Sequence, residues 1–257
     1  MPTMDIHSVC RFLDGLFADC TPADDCSNNG LQVEASRDVA RVAFAVDACL
    51  ETIRGAAAAD AQLLVVHHGL SWGGGFRKLT GIEAGRYAAL FSNEVSLYAC
   101  HLPLDANPLF GNNAVLARRM GLEVTERFAE HGGIPLAVAC RLPSPEPLSA
   151  IADRAAAALH GGPVRTLDFS NGKPVRKVAV ITGSGAGDLE ECARQGVDCL
   201  VTGEISHPRY HTAKETGISV VLGGHYATED TGIRELMRTL GETLRLETVF
   251  IDAPTGL

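Results

Sequence analysis

The sequence predicts an α/β fold made of two intertwined, structurally similar α/β repeats in α/β/α layers, and three observations carry that expectation. First, RVAFAVDACLETIRGAAAADAQLLVVHHG, from Arg41, and KVAVITGSGAGDLEECARQGVDCLVTGEISH, from Lys177, both read strand, turn, helix, strand. Second, the apolar runs at Val42 to Val46, Leu63 to Val66, Val178 to Ile181 and Cys199 to Val201 do not alternate with polar residues. That pattern suits strands buried on both faces. Third, each copy continues through a further helix and strand to a His-x-x-x-carboxylate pair, His101 with Asp105 in YACHLPLD and His225 with Glu229 in VLGGHYATE.

Taken in chain order, a helix is expected from about Asp5 to Asp19, followed by DDCSNNGLQV, whose Asn-Asn-Gly reads as a tight turn before Leu31. The first repeat occupies 1–125. A connecting segment, 126–176, holds a strand (Pro135 to Arg141), an Ala-rich helix (about Leu148 to His160) after SPEP, and a turn-rich return through SNGKP. It is too short to be a separate domain. The second repeat occupies 177–257. Duplication of this kind relates equivalent strand ends by a pseudo-twofold axis, and open α/β sheets bind ligands at the carboxyl ends of their strands.

With 257 residues, 46% of them hydrophobic, the chain can bury one large or two small cores. A net charge of -9 with interspersed signs argues against a nucleic-acid partner, because no basic cluster is present to displace counterions from phosphates. A small anionic or nucleotide-like substrate would then need bound cations to hold it. No basic segment followed by an apolar stretch opens the chain, and no apolar run approaches the ~20 residues that cross a bilayer. No membrane partner and a cytoplasmic location are expected. The eight cysteines form no C-x-x-C pair and read as small buried hydrophobes.

The strongest chemical signal is VVHHGLSWGGG, where His67 and His68 end an apolar strand before a Gly-rich turn. Adjacent strand residues point to opposite faces, but at the strand end both rings can turn toward one pocket. Taken alone, the pair is equally readable as a strand cap and a core histidine. Other clusters shift the balance, since several histidines and carboxylates at strand ends are costly to bury unless a cation pairs them. His225 and Glu229 share a helical face, with Asp230 available as the helix cap. Asp105 reads as a loop residue before the GNN turn, where a hard oxygen ligand or a simple turn former would both fit. Glu204 and His207, in TGEISH, end the strand equivalent to that of the histidine pair and are pocket candidates, as is His101. The Gly-rich loop 182–188 matches no complete phosphate-binding motif and reads more readily as a tight turn than as an anion cradle.

HHG after a strand, HLPLD followed by GNN, TGEISH, and GGHYATE together resemble the GTP cyclohydrolase I type 2 homologues, also described as dinuclear metal-centre hexameric proteins or the NGG-one-interacting factor three-like family. The resemblance covers nearly the whole chain, in the compact bacterial form without a long insertion. It implies two divalent ions per subunit, with His68 and Asp105 on one, His67 and His225 on the other, and Glu229 bridging. It implies a homohexamer as well. His101 is carried over only as a neighbouring pocket residue. Imidazole and carboxylate donors without thiolate suit Zn, Fe, Mn, Co or Ni. A dinuclear centre of this kind activates water for hydrolysis. GTP ring opening is the leading expectation, with phosphoester or amide hydrolysis and a non-enzymatic metal-binding scaffold as alternatives.

Overall fold

The computed structural model describes residues 3–75, 77–160 and 162–257. The chain forms two compact units, Met1–Leu104 with Ile233–Ala253, and Asp105–Gly232 with Pro254–Leu257. They are not laid out linearly as 1–125, 126–176 and 177–257, because strand pairing decides membership. The C-terminal strand returns to the first sheet, and the middle segment joins the second.

Unit 1 begins with β1 (Met4–Asp5), α1 (Ile6–Phe17), β2 (Gly30–Val33), β3 (Asp38–Val39), β4 (Arg41–Asp47), α2 (Leu50–Ala58), β5 (Leu63–His68), α3 (Gly81–Ser92) and β6 (Ser96–Ala99). The short α4 (Leu102–Ala106) follows. Unit 2 carries α5 (Asn112–Arg119), β7 (Val124–His131), β8 (Ile134–Glu146), α6 (Leu148–Ala158), β9 (Arg165–Leu167), β10 (Val175–Val180), α7 (Leu189–Arg194), β11 (Cys199–Thr202), α8 (His207–Thr216) and β12 (Ser219–Leu222). Helix α9 (His225–Leu244) and β13 (Glu247–Phe250) complete the chain.

The five-stranded sheet of unit 1 has the order β13-β4-β5-β6-β2, and the six-stranded sheet of unit 2 has the order β7-β8-β10-β11-β12-β9. The expected α/β repeat is present as a parallel strand-helix-strand-helix-strand core in each. It consists of β4-α2-β5-α3-β6 in one unit and β10-α7-β11-α8-β12 in the other. An antiparallel strand closes each core on one side, β2 on β6 and β9 on β12.

The continuous apolar runs are explained by what covers the sheets. In unit 2, Val178, Val180, Cys199, Val201 and Val221 pack with Leu116 of α5 and Ile151 of α6. Their neighbours Ala179, Leu200 and Val220 pack with Leu189 and Cys192 of α7 and Ala213 of α8. In unit 1, Ala43, Ala45, Leu64, Val66 and Leu97 meet Ile53 and Ala56 of α2 and Leu90 of α3. On the other face, the Tyr98 hydroxyl donates to Asp14 Oδ1 of α1 at 2.8 Å.

Several boundaries differ from expectation. β5 runs on through both histidines because His68 stays in register with Asp47 of β4. β8 extends to Glu146 because it pairs with both β7 and β10. The described cysteines are free thiols, and burial pushes those of Cys10, Cys140 and Cys192 up to about 12, which suits packing rather than reactivity. Among the described residues no helix is long and apolar enough to cross a membrane.

Candidate metal centre

In unit 1 the carboxyl end of β5 delivers both histidines. Their rings lie 4.6 Å apart with a 46° tilt, and His67 is fully buried. His101, just beyond β6, joins them, with ring separations of 5.1 Å to His67 and 5.7 Å to His68. One donor atom from each of the three lies within 4.8 Å of the others.

Each Nδ1 faces a different oxygen. His67 donates to the Cys100 carbonyl at 3.0 Å, His68 to Asp47 Oδ1 at 2.8 Å and His101 to Asp25 Oδ1 at 2.8 Å. A ring nitrogen facing an acceptor carries the proton, and the hydrogen-bond network therefore assigns the lone pair to Nε2. Metal-ligating histidines are held in this way.

Asp25 belongs to a loop built to hold it. Its Oδ2 accepts from Asn29 Nδ2 at 2.8 Å and from the Leu102 N–H, and its Oδ1 accepts from the Ser27 N–H. Burial opposes ionisation, but hydrogen bonds from His101, Asn29 and Ser27 outweigh it and keep the carboxyl below its usual range. Trp72 meets the His101 ring edge-on at 4.9 Å. After the histidines, Gln32 Oε1 accepts from the Leu70 and Ser71 N–H groups. A Cβ on Gly69 would stand 2.4 Å from that oxygen and 2.6 Å from Ala99 Cβ, which is why glycine follows the pair.

In unit 2, β12 ends at Gly223–Gly224 and α9 begins directly with His225, which leaves Asp230 in the second turn rather than at the cap. One turn on, Glu229 Oε2 lies 3.0 Å from His225 Nε2, while Glu204 Oε1 lies 3.0 Å from Nδ1. Glu204 also accepts from Ser184 Oγ at 2.8 Å. The hydrogen bond to Glu229, reinforced by its charge and by Glu204, pushes His225 up to about 9 against the effect of burial. Glu204 is held low by His225 first and Ser184 second.

The sign of the His225 shift gives a prediction for metal-free protein. A raised folded-state pKa stabilises fully below the ordinary value of 6.5 and ceases to do so as pH climbs through about 9. Thermal melting of the stripped protein should therefore fall across that window. Metal affinity at His225 should rise across it, because the proton must leave before an ion can bind. Calorimetric titrations at pH 6.5, 7.5 and 9 check both.

Asp105 sits in α4 rather than in a loop, and the following GNN is not a turn but the start of α5, with Gly111 as its cap. Asn112 Nδ2 donates to Asp105 Oδ1 at 2.8 Å while Asn112 Oδ1 accepts from the Gly232 N–H. Asn113 Oδ1 accepts from the Thr182 N–H at 2.7 Å and from Thr182 Oγ1 at 3.0 Å, and its Nδ2 donates to the Leu136 carbonyl. Both asparagines are buried. Asn113→Ala is expected to cost about 3 kcal/mol, from two buried backbone groups left unpaired at roughly 1–3 kcal/mol each, measurable by urea unfolding.

The Gly-rich loop has a steric purpose. Gly183 has φ +59°, and a Cβ there would stand 2.0 Å from Glu229 Oε1. His207 is exposed in the first turn of α8, edge-on to His211 at 5.7 Å, apart from the groups above. The sequence reading did not single out Asp25, Asn29, Asp47, Trp72, Asn113 or Thr182. A usable signal existed for Asp47, a carboxylate ending the strand beside the histidine strand.

Both groups fit a borderline divalent metal, with imidazoles whose protons are held away from the donor nitrogen and carboxylates held by neutral amides and hydroxyls. The profile of the Duf34/NIF3 (NGG1p interacting factor 3) family matches residues 4–256. The chain belongs to the NIF3 family. NIF3 relatives named GTP cyclohydrolase 1 type 2 homolog include one from Archaeoglobus fulgidus, 44% identical with 99% of this chain and 100% of that one covered. Another, from Halobacterium salinarum, is 46% identical over 99% and 100%. A solved NIF3-like structure from Thermus thermophilus superposes with a TM-score of 0.87 at 38% identity, covering 99% of this chain and 100% of that one.

Proposed function

We propose that this NIF3 chain is a metal-dependent hydrolase acting on a nucleotide-like substrate, with His67, His68, Asp105, His225 and Glu229 serving one dinuclear centre of Zn, Fe, Mn, Co or Ni. The observation that carries the reading is the proton placement. His67, His68 and His225 each present Nδ1 to an oxygen acceptor, which reserves Nε2 for a ligand role.

When bound, two ions would supply Lewis acidity and bring the pKa of water near 7. The chain's own residues do the rest. Glu204 keeps the His225 proton on Nδ1, Asn112 orients the Asp105 carboxylate, and Gly183 leaves room for Glu229. With a net charge of -9, the chain repels an anion except where cations stand, which restricts binding of a phosphorylated substrate to the centre. GTP is the first substrate to test, given the printed name of the relatives.

Assembly as a homohexamer is part of the proposal. Ile82 and Phe91 of α3, 73% and 57% exposed, offer apolar surface for copy-to-copy contact. Light scattering should give six chain masses.

The functional test strips the protein with chelator, reloads each metal in turn, and follows GTP, a model phosphoester and a model amide. Metal-dependent turnover that disappears in His68→Ala supports the proposal. Tight metal binding with no turnover of any of the three contradicts it and leaves a non-enzymatic metal-binding scaffold.

A further inference from the structure

We propose that His101 is itself a metal ligand, and that His67, His68 and His101 form an imidazole triad in unit 1 that holds one transition-metal ion without any donor from unit 2. This goes beyond the five-residue centre above, in which His101 has no ligand role.

Geometry supports the triad first. The three side chains offer one donor each within 4.8 Å. Two imidazole nitrogens on opposite sides of one ion, at bonds of about 2.0–2.1 Å, are about 4.2 Å apart. Small ring rotations therefore suffice to close the triad on one ion.

Proton placement supports it second. His101 Nδ1 meets Asp25 Oδ1 at 2.8 Å, as His68 Nδ1 meets Asp47 Oδ1 at 2.8 Å, so the two rings have the same carboxylate-held tautomer and the same Nε2 lone pair. A ring packed only for shape has no use for a buried carboxylate, and the Asp25 side chain is 2% exposed.

The loop supports it third. Asn29 ties both partners, donating Nδ2 to Asp25 Oδ2 at 2.8 Å and accepting the His101 N–H on its Oδ1 at 2.7 Å. DDCSNNG is thus a clamp on His101 rather than only a turn. Three imidazoles backed by two carboxylates balance a dication better than they balance one another, since bringing Asp25 and Asp47 beside neutral rings with no cation would leave their charge uncompensated.

The test uses the full chain with Asp105→Ala, His225→Ala and Glu229→Ala combined, titrated with Co(II) and Zn(II) by calorimetry and visible absorption. One ion per chain is expected, with Zn K-edge absorption reporting three imidazole nitrogens. Adding His101→Ala should abolish that binding. Asp25→Asn, which keeps the shape of the clamp and guards against a variant that fails to fold, should weaken binding about 10–100-fold. His7→Ala, an exposed histidine, should change nothing.

A combined variant that binds no ion, or a Co(II) spectrum indifferent to both His101→Ala and Asp25→Asn, overturns the triad. The outcomes separate from those of the dinuclear hydrolase. Wild-type protein that binds two ions and turns over substrate with a Co(II) spectrum blind to His101 sinks this inference alone. Loss of turnover with the triad intact sinks only the other.

Discussion

Glu229→Gln is expected to lower metal affinity at least about 100-fold and to remove metal-dependent turnover with it. Loss of a residue that merely orients a ligand costs about 10–100-fold, so loss of the anionic donor itself belongs at or above the upper end. Glutamine keeps the shape and one carbonyl oxygen, which isolates the charge. The same change has a second readout in metal-free protein. Glu229 is the largest cause of the raised His225 pKa, so glutamine should return His225 toward 6.5 and flatten the loss of stability between pH 6.5 and 9. Histidine proton NMR follows the titration. Unchanged metal affinity, or a His225 that still titrates near 9, would remove Glu229 from the account.

Gly183→Ala should separate the site from the fold. At φ +59° a non-glycine residue costs about 1–3 kcal/mol in backbone strain. The new methyl would also stand 2.0 Å from Glu229 Oε1 and 3.2 Å from His225 Nε2. The atom nearest to it is the far end of a flexible side chain, so the protein relieves the clash by swinging the carboxylate away rather than by unfolding. The expected result is a modest drop in stability by denaturant titration, with metal affinity falling as far as in Glu229→Gln. Alanine at Gly187, where the surroundings are open, is the control. Full metal affinity in Gly183→Ala would mean that the carboxylate need not stand where it does.

Much of this was legible in the sequence because it rests on local pattern. The continuous apolar runs mark strands covered on both faces, and they recur in the same order twice. The histidine pair and the spacing of His225 and Glu229 are likewise local, since a strand end and one helical turn decide them. What escaped is long-range. Asp47 reaches His68 only because β4 and β5 pair in parallel register, and Asp25 reaches His101 from a loop whose sequence resembles any polar turn. Asn112 and Asn113 were hidden by their own composition. Asn-Asn after Gly has the character of a turn, yet here both side chains are buried and spend their amides on Asp105, Thr182, Leu136 and Gly232. The middle segment was hidden by topology, because nothing local to 126–176 says that its strands will extend the sheet of β10 to β12.

The measurement that tests the central claim most directly is element-specific anomalous diffraction from crystals of the reconstituted protein. Two peaks per chain are expected, with nitrogen or oxygen donors of His67, His68, Asp105, His225 and Glu229 at about 2.0–2.2 Å from one or the other. Saturating metal that leaves these five side chains without a peak, or peaks ligated elsewhere, would contradict the dinuclear centre.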